Sequence, residues 1–379
     1  MTDDDSPPFT IGIEEEYLLI DPETRDLAAD PPTSILEECN RRTGDRVTPE
    51  FLRAQIEVGT KVCNSIAEVT SELRKLRRCI ADVAQEHGLA VIASSSHPTA
   101  DWGAQMYTDR ERYQILAQDM QTLARRLLIC GMHVHVGIDD EDLRIDLMNQ
   151  VAYFLPHLLV LSTSAPFWRG RNTGLKSYRM AVWNELPRTG LPPHFASYGE
   201  YQRMLRTLVR AGIIQDATKL WWDVRPSDRF PTLEMRMTDI CTRMEDTICV
   251  AALYRCLLRM LWRLRQSNQR WRIYDRFMVA ENRWRAQRYG FDEGLIDFGK
   301  GRIIPYADLL EEILDLVRPD AEHFDCVAEV EHSRTILKRG TSAHKQLAHF
   351  EEARRAGKDD AMALRDVVDM LREETLAGL

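Results

Sequence analysis

Four short stretches of this sequence alternate in the manner of a β-strand while carrying charge on one face only. They are GIEEEY (Gly12 to Tyr17), RAQIEVGT (Arg53 to Thr60), GMHVHVG (Gly131 to Gly137) and TLEMRMTD (Thr232 to Asp239). Successive side chains of a strand point to opposite faces, so Glu14 shares a face with Glu16, Gln55 with Glu57, His133 with His135, and Glu234 with Arg236. Opposite them lie Met132, Val134 and Val136 in the third stretch and Leu233, Met235 and Met237 in the fourth, residues that require a core. Brought into one sheet, the charged faces make a surface of carboxylates, imidazoles and guanidinium groups. Packed carboxylates repel and take up protons unless cations neutralise them. The pattern therefore points to a metal-dependent site built on a sheet. Glu15 points the other way from Glu14 and Glu16 and reads as structural.

The polar residues of these strands narrow the chemistry. Three stretches place an acid on the polar face of an otherwise apolar strand, which a solvated edge strand does not explain. Hard oxygen ligands in this number suit Mg²⁺ or Mn²⁺. The His-Val-His pair has two readings. It is either the paired imidazoles of a zinc or iron hydrolase or oxygenase, or one imidazole on a hard metal and one on phosphate or substrate. The flanking Gly131 and Gly137 leave backbone room for something close by. Arg236 beside Glu234, Arg225 with Asp223 in WWDVRP, and Arg179 in Ser177-Tyr178-Arg179 supply guanidinium groups of the kind that phosphoryl transfer uses. No GxxxxGK[ST], GxGxxG or GxSxG occurs, so P-loop, dinucleotide-binding and α/β-hydrolase readings have no support.

Composition excludes other classes. The net charge of −9 argues against a nucleic-acid or membrane-surface binder. Eight cysteines without a CxxC pair read as reduced, buried thiols of a cytosolic protein. The acidic start MTDDDSPPF is unlike a signal peptide. The most apolar run, Val151 to Trp168, holds His157 and two prolines and reads as a buried helix and its exit loop.

Along the chain, residues 1–8 read as a disordered leader and residues 9–379 as a single catalytic domain, with a sheet core over about 9–300 and a helical part over about 301–379. Charged strands occur at Thr10–Ile20 and Phe51–Thr60, and further strands at Leu220–Arg225 and Thr232–Asp239. Helical spacing covers Ser65–His87 with Gly88 as its stop, Arg110–Leu128, Asp140–Ser162, Tyr198–Ala211 and Met244–Gln266, then 305–318, 325–338 and 342–376. Phe167–Ser197 reads as an irregular segment whose aromatic content marks it as functional.

Taken in order, these segments resemble the glutamate–cysteine ligase type 2, or carboxylate–amine ligase, family within the glutamine synthetase superfamily. GIEEEY and QIEVG resemble the superfamily's first two metal-binding strands, GMHVHVG its histidine strand and TLEMRMTD its Glu-x-Arg strand. SAPFWRGRNTGLKSYR, LPRTGLPP, WWDVRP and ENRWRAQRYG resemble segments of the narrower family. The resemblance implies an α+β fold, a glutamine synthetase-like antiparallel sheet funnel with helices packed outside, holding ATP and Mg²⁺. It implies Glu14, Glu16, Glu57, His133 and Glu234 as metal ligands, His135 near substrate or phosphate, and Arg236 on phosphate. Arg225 and Arg179 would meet the anionic substrate or phosphate. Arg236, Glu57 and His135 carry the catalytic roles.

The implied reaction joins a carboxylate, such as the γ-carboxylate of glutamate, to cysteine or a related amine through an acyl phosphate. Small-molecule partners, a cytoplasmic setting and a homodimer go with it. No equivalent of the glutamine synthetase ammonia-site loop occurs, which favours an amine larger than ammonia. Two other readings stand beside this one: a transition-metal hydrolase or oxygenase using the His-Val-His pair, and an inactive binding protein of the same fold.

Overall fold

The structure is a computed structural model that describes residues 6–379. Most of the expected leader, residues 1–5, lies outside the described residues. Seven strands form one sheet: β1 (Ile11–Ile20), β2 (Val47–Pro49), β3 (Gln55–Gly59), β4 (Ala90–Ile92), β5 (Met132–Gly137), β6 (Val224–Pro226) and β7 (Thr232–Met235). Their order is β6-β7-β5-β1-β3-β2, with β4 also on β1, and every pairing is antiparallel. All four charged stretches are thus neighbours in one sheet. The class is α+β, as the sequence implies.

One face of the sheet is the floor of the core. Ile11, Ile13 and Tyr17 of β1, Ile56 and Val58 of β3, Met132, Val134 and Val136 of β5, and Leu233 and Met235 of β7 are all buried there. Two long helices cover that face. The first, α1 (Ile66–Glu86), repeats Ile66, Val69, Leu73, Leu76, Ile80 and Val83 toward the sheet. Ser65 caps it by accepting from the Glu68 amide at 3.1 Å, Glu68 in turn accepts from the Asn64 amide, and Gly88 closes it in the left-handed region at φ 74°. The second, α2 (Met244–Gln266), is buried on nearly every side over its first five turns, because it lies between β5 and the outer helices Tyr306–His323 and Val327–Arg339.

Several expected elements divide. The run expected over Asp140–Ser162 is two helices, Glu141–Val151 and Leu155–Ser162, separated by a turn before Pro156. The terminal run over 342–376 is likewise Ser342–Arg355 and Asp360–Leu376, broken at Gly357, whose φ is 88°. Arg110–Leu128 shortens to Glu111–Met120 and Thr122–Arg125. Leu220–Arg225 splits at Asp223 into Trp221–Trp222, paired in a separate two-stranded sheet, and β6. The segment 167–197 is not wholly irregular: it contains the short helix Tyr178–Trp183, which packs Arg179 inward.

Candidate functional site

The strand register assembles the site directly. On β1, Glu14 stands opposite His133 of β5 on one side and Gly59 of β3 on the other, and Glu16 stands opposite Glu57 of β3. Across β5, His135 faces Gly12 and Glu234, and Glu234 faces Arg225. Directly opposed residues in an antiparallel pair bring their Cβ atoms within about 5.5 Å, so alternation plus this register makes every charged residue a neighbour of another.

The contacts follow. Glu14 Oε2 accepts from His133 Nδ1 at 3.1 Å, and its Oε1 is 3.5 Å from His135 Nε2. Glu16 Oε2 accepts the Gly131 amide at 2.7 Å, while its Oε1 lies 3.9 Å from His133 Nε2. Glu57 Oε1 accepts from Thr48 Oγ1 at 3.0 Å, and His135 Nδ1 lies 2.9 Å from Thr232 Oγ1. Glu234 accepts from Arg225 Nε at 2.8 Å and also pairs with Arg236. Three sets of potential ligand atoms each fall within 4.8 Å of one another: Glu14, Glu57 and His133; Glu14, His135 and Glu234; and Glu16, Glu50 and Glu57. Glu14 and Glu57 are each shared between two sets.

The carboxyls of the face are shifted in opposite directions. Burial raises the Glu234 carboxyl, but Arg236 and Arg225 outweigh it and hold the group far below the usual carboxylate range. Burial likewise raises Glu14, and the hydrogen bonds from His133 and His135 bring it well below its ordinary value. Glu57 moves the other way: burial, then the neighbouring Glu50, Glu14 and Glu16, push its carboxyl well above the ordinary value. His133 is lowered by burial, whereas for His135 the carboxylates of Glu14 and Glu234 overcome burial and raise it. Glu57, within ligand distance of Glu16 and Glu50, is thus the carboxyl of the face pushed upward.

The arginines divide too. Arg225 Nη1 donates to the carbonyls of Thr218 and Leu220 at 3.0 and 2.7 Å, so its guanidinium is occupied on both edges. Arg236 is half-buried, lies 5.7 Å from the Trp183 ring centroid, and keeps a buried Nε–H with no hydrogen-bond partner. An orphaned buried donor beside the carboxylates fits an anionic ligand. Arg179 reaches the same face at its Gly131 end but donates to the carbonyls of Arg236 and Met237 at 3.0 and 3.1 Å. Asp223, expected to share a face with Arg225, instead receives Arg283 at 2.7 Å in the core. Glu15 is fully buried behind the sheet and pairs with Arg77.

Sequence reasoning missed Glu50. It follows Pro49 at the end of β2, outside any alternating run, and only the fold carries it to Glu57. Among the described residues no helix is long and apolar enough to cross a membrane.

The sequence and the fold are similar to those of known proteins. Residues 10–364 match the family model of Glutamate-cysteine ligase family 2 (GCS2). A Rhodospirillum rubrum protein named "Putative glutamate--cysteine ligase 2" is 62% identical over 377 residues, covering 98% of this chain and 97% of that one. A Jannaschia sp. protein of the same name is 52% identical over 366 residues, covering 97% and 96%. Among solved structures, a glutamate–cysteine ligase from Francisella tularensis in complex with AMP superposes with a TM-score of 0.69 at 15% identity, covering 97% of this chain and 89% of that chain. A bifunctional glutathione synthetase from Pasteurella multocida gives 0.68 at 14%, covering 97% and 52%. At those identities the two structures show a shared fold, the glutamine synthetase-like antiparallel sheet with helices outside. The family match and the relatives carry more: this chain belongs to glutamate-cysteine ligase family 2, a family of ATP-dependent ligases that form carbon–nitrogen bonds.

Proposed function

We propose that the protein condenses the γ-carboxylate of glutamate with cysteine or a related amine, using ATP and Mg²⁺ or Mn²⁺ bound on the charged face. The observation that carries this reading is the pair of shared carboxylates: Glu14 and Glu57 each belong to two ligand sets, so the face can hold two or three hard cations side by side. The donor set fits such ions, being carboxylate oxygens with imidazole, and the raised Glu57 carboxyl is a group that a cation would return to its ionised form.

Glu14, Glu16, Glu57, His133 and Glu234 would hold the metal ions, with Glu50 as a further ligand beside Glu16 and Glu57. Bound there, the ions supply charge neutralisation for the β- and γ-phosphates of ATP. Arg236, already aligned by Glu234 and Trp183, offers its free Nε–H to a phosphate oxygen. His135, fixed by Thr232 on one nitrogen, presents the other toward the same space. Arg225 orients Glu234, and Arg179 holds the Gly131 end of the face. In the first step the substrate carboxylate attacks the γ-phosphorus and ADP leaves. In the second the amine attacks the acyl carbon, loses a proton, and expels inorganic phosphate. The chain's part is to position the carboxylate and the γ-phosphate in line and to keep their charges compensated.

The test is ADP release and hydroxamate formation with hydroxylamine and Mg²⁺ across a panel of acids beginning with glutamate. Glutamate hydroxamate formed with stoichiometric ADP supports the reading. A protein that releases ADP with a different acid alone keeps the mechanism and loses glutamate as its substrate.

A further inference from the structure

We propose that Phe230 is the stacking platform for the purine of the nucleotide, placing the base at the Gly12–His135 end of the sheet with the phosphates running from there toward Glu57. This rests on the ATP-dependent reading above and assigns a base-recognition residue to it.

Phe230 sits in the hairpin loop between β6 and β7 and is 53% exposed. The hairpin is pinned: Thr232 accepts from the Ser227 amide at 3.0 Å, Pro231 accepts from the Ile138 amide at 2.9 Å, and Phe230 accepts from the Thr232 amide at 2.7 Å. The phenyl ring is therefore held in the open by the backbone around it. Its plane is nearly perpendicular to the His135 ring, with ring centroids 6.3 Å apart and an interplanar angle of 89°. The two rings are therefore not stacked on each other.

The neighbouring floor is bare. Gly12 lies opposite His135 on the charged face, and a Cβ built there would make only ordinary contacts, 3.8 Å from Thr60 Oγ1 and 3.9 Å from His135 Cβ. Along β1 the polar face reads Gly12, Glu14, Glu16, so charge begins only one step in from this end. His135 Nε2 lies 3.5 Å from Glu14 Oε1, and Arg236 on the same face keeps an unpaired Nε–H. An exposed aromatic ring beside the glycine end of β1, next to a face built for polyphosphate, matches the two ends of a nucleotide. Base–aromatic stacking needs only a π-face, so a single phenylalanine suffices.

The experiment compares wild type, Phe230→Ala and Phe230→Trp by two readouts. In the hydroxamate assay, Phe230→Ala raises KM for ATP about tenfold with little change in kcat. Inhibition by inorganic tripolyphosphate, which has no base, stays at the wild-type level, and Phe230→Trp restores KM. In fluorescence titrations, ADP quenches the Phe230→Trp protein beyond the wild-type response and tripolyphosphate does not. An unchanged KM for ATP in active Phe230→Ala overturns the proposal, as does an equal weakening of tripolyphosphate, which would place the ring against phosphate. A raised KM confined to the acid substrate overturns it in favour of a ring that covers the acid. Should no acid support ADP release, the ligase reading fails, and the ADP titration of Phe230→Trp still decides whether a base stacks there.

Discussion

A Cβ placed on Gly131 would lie 2.3 Å from Nη2 of Arg179. Glycine is required there because the guanidinium occupies the space above it, bridging the start of β5 to the carbonyls of Arg236 and Met237 at the end of β7. The same glycine donates its amide to Glu16. Gly131→Ala should therefore displace Arg179 and misplace Glu16 together, lowering kcat by on the order of 100-fold. Steady-state kinetics check this. Arg179→Lys, which cannot span both carbonyls, should mimic the kcat loss with little change in KM for ATP, whereas Arg236→Lys should raise that KM.

Glu15 and Arg77 form a fully buried bidentate pair, with Nε to Oε2 at 2.8 Å and Nη2 to Oε1 at 2.5 Å, joined by Tyr17 and by Thr247 at 2.7 Å. The pair fixes the core face of β1 and so turns Glu14 and Glu16 toward the site. Arg77→Met leaves an uncompensated buried carboxylate and should destabilise the fold by about 3–5 kcal/mol. Urea unfolding measures it. Glu15→Gln with Arg77→Met together should recover part of that loss, since the charge is removed with its partner.

Acid should unfold the protein through buried neutral histidines. Burial lowers His97 and His157 to about 4 from an ordinary 6.5. Each folded value lies below the unfolded one, so the stability is fully present above pH 6.5 and is lost as pH falls toward 4. Each histidine contributes about 3 kcal/mol over that window, roughly 2 kcal/mol of it gone by pH 5. His157 packs among Tyr153, Phe154 and Tyr306 with Nδ1 unpartnered. His157→Phe should flatten the fall in urea midpoint between pH 7 and pH 5 by that amount.

Cation binding should be linked to pH through Glu57. Its folded carboxyl is raised by burial and by Glu50, Glu14 and Glu16, so without a cation its ionisation removes stability as pH rises. Mg²⁺ offsets that repulsion, and the rise in Tm it produces should grow with pH. In Glu57→Gln the Mg²⁺-induced shift should shrink and lose its pH dependence. A chelator should return wild type to its cation-free Tm.

Much of the site was legible because strand alternation is local. The pairs 14/16, 55/57, 133/135 and 234/236 each announce a shared face, and the structure places all four on one sheet. What alternation omits is register and anything beyond the strands. Glu50 reaches Glu57 only because β2 pairs with β3, and Phe230 reaches His135 only through the β6–β7 hairpin. Gly131 and Gly137 were correctly read as leaving room, but the occupants are this chain's own Arg179 and the Thr10 hydroxyl. Asp223 misled because its strand breaks at that residue, sending the carboxylate to Arg283. Helix lengths failed where Pro156 and Gly357 interrupt an otherwise continuous apolar period.

The proposed reaction requires that the substrate carboxylate itself attack the γ-phosphorus. Glutamate labelled with ¹⁸O in its γ-carboxylate tests it, by mass analysis of the phosphate released during amide formation. One ¹⁸O atom should pass to inorganic phosphate for each amide made. Amide formed with unlabelled phosphate would contradict it.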